Sequence, residues 1–204
     1  MSCNRLKAAV LAGALVLASC SQPPKPAAVD GAKETAEPAV PVSGKTAFWE
    51  MYKSAYAWAR DATPLALESK KSGGVKDEAG NFGMWSATFG SLSRREARTF
   101  SYSVVKSPPD IYKGVTIGKS LPWSGPTREA LHFQTADLVV DSDAAYKTAS
   151  AQAAPWLKKH PGVEASLTLG NAARFHGPVW YVLWGDKKTG YSVYVDSKSG
   201  VVVK

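Results

Sequence analysis

The sequence predicts an α+β protein in which two similar units, each a helix followed by an antiparallel meander, pack together. Two segments, 46–62 and 141–158, carry apolar residues at helical spacing. Short strand-like runs separated by glycine-containing turns follow each of them. Both halves contain a tryptophan-bearing strand that ends in an aromatic residue and glycine, and then a Tyr-Ser-Val strand. These parallels predict an internal duplication, with units at 46–118 and 141–204.

Residues 1–19 have the composition of a secretory signal peptide. Arg5 and Lys7 precede an uncharged apolar run, 8–18, that is too short to span a bilayer as a helix. The run leads into Leu17-Ala-Ser-Cys20, which resembles the lipobox of bacterial lipoproteins. The resemblance implies cleavage before Cys20, a diacylglycerol on its thiol and an acylated amine, and several acyl chains anchor a protein stably. The alternative is an ordinary signal peptide that leaves a free cysteine.

The residues after the lipobox bear on location and stability. Ser21 is not the aspartate that retains many lipoproteins at the inner membrane, so the resemblance favours an outer-membrane anchor facing the periplasm in a Gram-negative host. Residues 20–45 are rich in proline and alanine and lack aromatic residues, which predicts a flexible, semi-extended linker. Because Cys3 leaves with the signal and Cys20 is acylated, the domain is expected to be stable without disulfides.

The mature chain is basic. Loss of the two basic residues of the signal leaves 23 Lys and Arg against 17 Asp and Glu, a net charge of +6. Such a charge suits anionic lipid headgroups, lipopolysaccharide or acidic glycans. Because the basic residues do not cluster in the sequence, a solvated basic surface is the favoured interpretation. Nucleic acid is not an expected partner outside the cytoplasm.

The first unit begins with an aromatic helix. Phe48, Tyr52 and Ala55 define its inner stripe, Thr46 is the predicted N-cap, and Thr63-Pro64 is predicted to end or kink it. Four strands are predicted after it: Leu65–Ser69, Met84–Phe89, Thr99–Val105 and Tyr112–Ile117. A connector, 119–140, joins the units and is predicted to add a strand at Leu138–Val140.

The second unit begins with a helix capped by Asp141 or Ser142. Pro155 predicts a kink, and Pro161-Gly162 a stop. The strands predicted to follow are Val163–Leu169, Val179–Trp184, Tyr191–Val195 and Val201–Val203.

This half resembles a PepSY domain, in which a helix ending near Pro-Gly precedes a meander whose last hairpin reads V-D-x-x-(S/T)-G-x-V. The matching residues are Val195-Asp-Ser-Lys-Ser-Gly200-Val-Val, preceded by Tyr191-Ser-Val193. The resemblance covers 141–204, and residues 46–118 show a weaker similarity to the same pattern. It implies a cystatin-like fold in exported or membrane-anchored proteins, and a role in peptidase regulation or protein interaction. The family has no catalytic residues, so the resemblance assigns none to this chain.

No motif in the chain predicts a catalytic centre, a metal site or a cofactor. The three histidines lack partners at metal-ligand spacing, and the chain has no nucleophile elbow or phosphate loop. The candidate binding surface is aromatic and consists of Trp85, Trp123, Trp180 and Trp184. For Trp180, Val182 and Trp184, which share one face of a strand, the favoured interpretation is that they face a helix or another sheet as core, and an exposed binding surface is the alternative.

The strand Val179–Trp184 is apolar on both faces. Its second face, formed by Val179, Tyr181 and Leu183, therefore needs a cover, and the other unit is the expected one. From this we also expect residues 141–204 alone to be unstable.

Three functions remain open from the sequence. The leading hypothesis is a non-catalytic, lipid-anchored envelope module that binds a protein or polymer through an edge strand or a cleft. A carrier for a hydrophobic ligand and an envelope hydrolase are the alternatives. An enclosed cavity would favour the carrier, and a His–carboxylate–Ser cluster the hydrolase. The oligomeric state is left open.

Overall fold

Two helices, eight strands and one 3-10 turn make up residues 38–106 and 112–204, the part of the chain that the computed structural model describes. The predicted signal peptide and Cys20 lie outside the described residues, as does most of the linker. The elements are α1 (Gly44–Trp58), β1 (Thr63–Lys70), β2 (Met84–Ser91), β3 (Glu96–Ser103), β4 (Gly114–Pro122), the 3-10 turn (Thr135–Asp137), α2 (Ser142–Leu157), β5 (Ala165–Gly170), β6 (Val179–Trp184), β7 (Tyr191–Asp196) and β8 (Val202–Val203).

All eight strands belong to one antiparallel sheet, in the order β4-β3-β2-β1-β5-β6-β7-β8. Each half of the chain contributes a helix and four strands, and the first strands of the halves, β1 and β5, pair at the centre. The predicted α+β class is confirmed. The halves therefore meet edge to edge within one sheet.

Both helices pack on the same face of this sheet and share one core with it. At its centre, Trp85 of β2 and Trp180 of β6 meet edge to face, with ring centroids 6.2 Å apart. Each indole nitrogen donates a hydrogen bond of 2.9 Å to a carbonyl just before a helix cap, Trp85 to Val42 and Trp180 to Val140. The two tryptophans are therefore equivalent in position. Each connects the start of a helix to the second strand of the same half through one hydrogen bond.

The first helix starts and ends earlier than predicted. Ser43, rather than Thr46, is the N-cap, and its hydroxyl accepts a hydrogen bond from the Thr46 amide. The helix ends at Trp58 because Ala59 adopts an extended backbone, with φ −148° and ψ 128°. Pro64 therefore lies in β1, where the restriction it places on Thr63 favours a strand.

The second helix has the predicted cap, and that cap also serves the first helix. Asp141 precedes α2, and its carboxylate accepts hydrogen bonds from the amides of Ser142 (2.7 Å) and Lys45 (2.8 Å). The buried Ser142 hydroxyl accepts a further bond of 2.7 Å from the Gly44 amide. The first turn of α1 is thus satisfied by side chains from the start of α2.

Two sequence-based expectations about the strands are wrong. Leu138–Val140 is not a strand; the amides of Val139 and Val140 donate to the Ser197 carbonyl instead. The two Tyr-Ser-Val tripeptides are not equivalent, because Tyr102 lies opposite Trp85 whereas Tyr191 lies opposite Trp184. The residue that matches Tyr102 in the sheet is Val195, opposite Trp180.

Candidate binding groove on the open face of the sheet

Three of the four candidate tryptophans are core residues. Trp85 and Trp180 are 0 % exposed and Trp184 is 1 % exposed, because all three point toward the helices. They cannot form a binding surface in this fold. Trp123 is half-buried and lies over Gly90, where an added Cβ would come within 2.7 Å of its ring.

The face of the sheet away from the helices carries the other apolar side of β6. Val179 and Leu183 are buried there, and Tyr181 is partly buried. The expectation that the other half covers this face is wrong, because that half continues the same sheet sideways. Aromatic side chains of the second half cover part of it instead. The Tyr194 ring lies 5.0 Å from Tyr181 and 5.1 Å from Phe175, measured between centroids.

A groove of about 250 Å³ opens beside this aromatic group. Its floor is a depression in the sheet surface because Ala66 of β1 lies opposite Gly170 of β5, and both residues are small. A Cβ added at Gly170 would meet no atom within 4 Å, so the missing side chain leaves open space. The lining residues are mostly apolar: Leu65, Ala66, Glu129, Ala130, Thr168, Gly170, Asn171, Ala172, Arg174, Phe175, Val179, Tyr181 and Tyr194.

Arg174 stacks on one wall of the groove. Its guanidinium carbon lies 4.5 Å from the Phe175 centroid and 4.6 Å from the Tyr194 centroid. Such cation–π contacts hold a long side chain over the rings while its charge stays in water. The wall thus presents an aromatic surface and a fixed positive charge.

A polar rim is built by the loop after β5 and the connector. The Asn171 carbonyl accepts a hydrogen bond from the Leu131 amide (2.9 Å), and the Asn171 side-chain amide donates to the His132 carbonyl (3.0 Å). The Asn171 side-chain oxygen is buried and has no partner among the described residues. The Glu129 carboxylate is exposed at this rim and is the acceptor that a bound molecule can reach. The groove can therefore hold an apolar segment and accept hydrogen bonds from its donors.

A second cleft, of about 400 Å³, lies at the opposite end of the sheet and is mainly polar. Lys71 and Glu164 form an exposed ion pair along it. Burial raises the pKa of Asp77, whose carboxylate accepts a hydrogen bond from the Gly83 amide. Lys71, Glu164 and Asp77 are thus each engaged within the fold.

His160 and the serines of the β2–β3 hairpin make contacts within the fold, whereas His132 and His176 are exposed. His160 stacks on Trp156 at the end of α2, with centroids 3.9 Å apart. Asp61 accepts hydrogen bonds from the Ser91 hydroxyl (2.7 Å), the Ser93 amide (2.8 Å) and the Ser93 hydroxyl (2.9 Å), which lower its pKa to about 2. A carboxylate with so low a pKa is a poor general base near neutral pH. This cluster therefore holds the β2–β3 hairpin against the end of α1.

Between the helices and the sheet, side chains fill the space. A Cβ added at Gly44 would approach the Trp180 ring to 2.8 Å and the Trp85 ring to 3.1 Å. The groove, in contrast, is open to solvent. Among the described residues, no group of three potential metal ligands occurs. Within that same part of the chain, no helix has the length and apolar character of a membrane span.

Comparison with known proteins assigns no family to the chain. No family model matches it, so the PepSY resemblance stays an interpretation of the sequence. No curated protein matches it either. A crystal structure from Clostridium difficile 630, provisionally described as that of a lipoprotein, shares 15 % identity with a TM-score of 0.48. The match covers 82 % of this chain and 93 % of the other. A likeness this distant carries no functional argument.

Proposed function

We propose that this chain is a non-catalytic, lipid-anchored module of the cell envelope that binds a partner protein or envelope polymer in the groove on the open face of its sheet. The observation that carries the proposal is the apolar depression at Ala66 and Gly170, walled by Tyr181, Tyr194 and Phe175. A monomeric domain commonly places such a groove where it meets a partner.

Several features favour an interaction module over a carrier. The groove is a shallow, open trough on the sheet surface, whereas a carrier would hide its ligand from water. The layer between helices and sheet is closed by Trp85, Trp180 and Phe48, all fully buried. An extended segment lying across the sheet could stack on the tyrosines and donate hydrogen bonds to the exposed Glu129 carboxylate.

The lipid anchor and the location belong to the same proposal. The lipobox-like sequence that ends at Cys20 supports acylation, and Ser21 supports an outer-membrane anchor facing the periplasm if the host is Gram-negative. The PepSY resemblance of 141–204 further suggests that the bound partner is a peptidase or its target. In that case binding would regulate the peptidase without any chemistry by this chain.

We also include the tandem duplication in this proposal. The order of helix and four strands recurs in both halves, and the first strands pair antiparallel about the centre of the sheet. The matched bonds from Trp85 to Val42 and from Trp180 to Val140 support it more strongly than the tripeptides do. The residues that line the groove belong mainly to the second half, so the two copies would have diverged in function, with binding retained in the second.

Photo-crosslinking in native envelopes tests the groove. A photoreactive phenylalanine at Tyr194 should give a discrete crosslinked species, and Gly170→Leu should abolish it by filling the floor. This variant suits the site because open space surrounds Gly170. Ser192→Leu is the matched control, since Ser192 is exposed in β7 and does not line the groove. An unchanged species in Gly170→Leu, or an equal loss in Ser192→Leu, would contradict binding in the groove.

A further inference from the structure

The arginines of the described chain all lie at one end of the sheet. Two of them, Arg94 and Arg95, form the tip of the β2–β3 hairpin. We call this region the arginine end, and define it by Arg60, Arg94, Arg95, Arg98, Arg128 and Arg174. Lysines occur elsewhere, including Lys187 and Lys188 in the β6–β7 hairpin.

The topology explains why these residues meet. Strands β2 and β5 both pair antiparallel with β1, so they run in the same direction and end at the same edge. Arg174 follows β5, and the Ala173 amide donates to the Arg128 carbonyl (2.9 Å). The Asp61 carboxylate, bonded to the hairpin serines, brings Arg60 to the same place. The β6–β7 hairpin lies at the opposite end, because β6 runs antiparallel to β5.

The positive charge of this end is not neutralised locally. Segments 60–61, 91–98, 128–129 and residue 174 contain six arginines against three carboxylates, a net charge of +3. Among the described residues, the ion pairs within 4.0 Å all use lysine, so none of these arginines is paired with a carboxylate.

Donors without acceptors accompany this charge. The Nε atoms of Arg98 and the Trp58 indole are buried and lack a hydrogen-bond partner in the described part of the chain. The Arg98 guanidinium lies 5.2 Å from the Trp58 ring centroid, so the two donors belong to one cluster. Because both atoms are buried, they belong to the packing beneath the arginine end and not to its exposed surface.

Large apolar side chains project among the arginines. Leu92 at the hairpin tip is 61 % exposed and Leu121 at the end of β4 is 67 % exposed. Tyr56 is 42 % exposed and lies under Arg60, whose guanidinium carbon is 4.6 Å from the ring centroid. Exposed leucine and tyrosine beside basic residues are typical of surfaces that sit at a membrane interface.

We infer that the arginine end docks onto the headgroup layer of an anionic membrane, with Leu92 and Leu121 entering the interface. Guanidinium groups bind phosphate oxygens through paired hydrogen bonds, which suits phospholipid headgroups better than a simple positive charge does. A net charge of +3 supports weak binding that is sensitive to salt. A membrane tether would strengthen this binding, because it raises the effective concentration of the domain at the membrane surface. This inference concerns a surface distinct from the floor of the groove and needs no partner in it.

Vesicle binding tests this inference without relying on acylation. The mature chain with Cys20→Ser is mixed with vesicles of phosphatidylcholine alone or with added phosphatidylglycerol, and the bound fraction is measured by flotation. Binding is expected only with phosphatidylglycerol, and it should fall in high salt. Because each basic residue near an anionic surface contributes about a fivefold gain, Arg60→Gln with Arg94→Gln should weaken binding on the order of 20-fold.

A matched control separates the surface from the net charge. Lys187→Gln with Lys188→Gln removes the same charge at the opposite end and should leave most of the binding intact. Equal weakening by both pairs, or equal binding to neutral vesicles, would overturn the inference.

A fluorescent label provides a readout that does not depend on the arginine variants. In the Cys20→Ser chain, Leu92→Cys introduces the only thiol of the mature protein. An environment-sensitive label there should shift to shorter wavelength on anionic vesicles, whereas a label at Lys187→Cys should not. A shift at both sites or at neither would refute docking through this end.

Discussion

Replacing Ser142 with alanine should destabilise the protein by about 1–2 kcal/mol, although alanine is the better helix former. The Ser142 hydroxyl is fully buried and accepts a 2.7 Å hydrogen bond from the Gly44 amide. Its loss leaves a buried N–H without a partner, which costs about 1–3 kcal/mol. The gain in helix propensity offsets about 0.5 kcal/mol of this. Asp141 still caps α2, so the change isolates the bond between the helices.

The matched control lies on the same helix. The Ser150 hydroxyl is buried and has no hydrogen-bond partner in the described residues, so Ser150→Ala removes an unsatisfied group. We expect this variant to be neutral or more stable by about 0.5 kcal/mol. Urea unfolding followed by tryptophan fluorescence measures both variants. A similar effect in the two would refute the reasoning, because it would show that the bond to Gly44 contributes nothing specific.

Three further outcomes follow from the fold. The fragment 141–204 should aggregate or stay unfolded in circular dichroism and light scattering, because β5 loses its pairing with β1. Gly44→Ala should lower stability in urea by about 1–3 kcal/mol, since its Cβ would come within 2.8 Å of the Trp180 ring. The stability advantage of the wild type over Asp61→Asn should be constant above about pH 5 and shrink as pH falls from about 4 to about 2. This window follows because the folded pKa of Asp61, about 2, lies below its ordinary value of 3.8.

Controls make these three outcomes specific. A cooperatively folding, monomeric fragment would contradict the first. For the second, Gly170→Ala is the comparison, because its Cβ enters open space and should change stability little; equal losses at Gly44 and Gly170 would contradict the packing argument. For the third, an advantage over Asp61→Asn that is unchanged at about pH 2 would show that the Asp61 charge is not involved.

Local sequence signals were sufficient for the elements whose boundaries depend on local chemistry. Strand Val179–Trp184 has the predicted bounds, and Asp141 caps α2 as its short acidic side chain indicated. The start of α1 was misplaced because Ser43 and Thr46 are both competent caps, and the tertiary bonds from Asp141 and Ser142 favour the earlier start.

The binding residues were harder to predict. The aromatic residues singled out from sequence were tryptophans, whereas the groove is walled by Tyr181, Tyr194 and Phe175. A strand with apolar residues on both faces does not reveal which face the helices cover. The sequence feature that indicates the groove is the apolar face Val179-Tyr181-Leu183, together with a neighbouring strand that ends in Gly170.

The sequence alone determined the α+β class, the order of the two helices and eight strands apart from an extra strand at Leu138–Val140, and the expectation of a lipid anchor at Cys20. These follow from hydrophobic periodicity, caps and short motifs, which act over a few residues. Only the tertiary structure decided that β1 pairs with β5 in one sheet, that the central tryptophans face the helices, and that the arginines meet at one end. The physical reason is that pairing between strands about a hundred residues apart depends on how the whole core packs, and no local pattern encodes it.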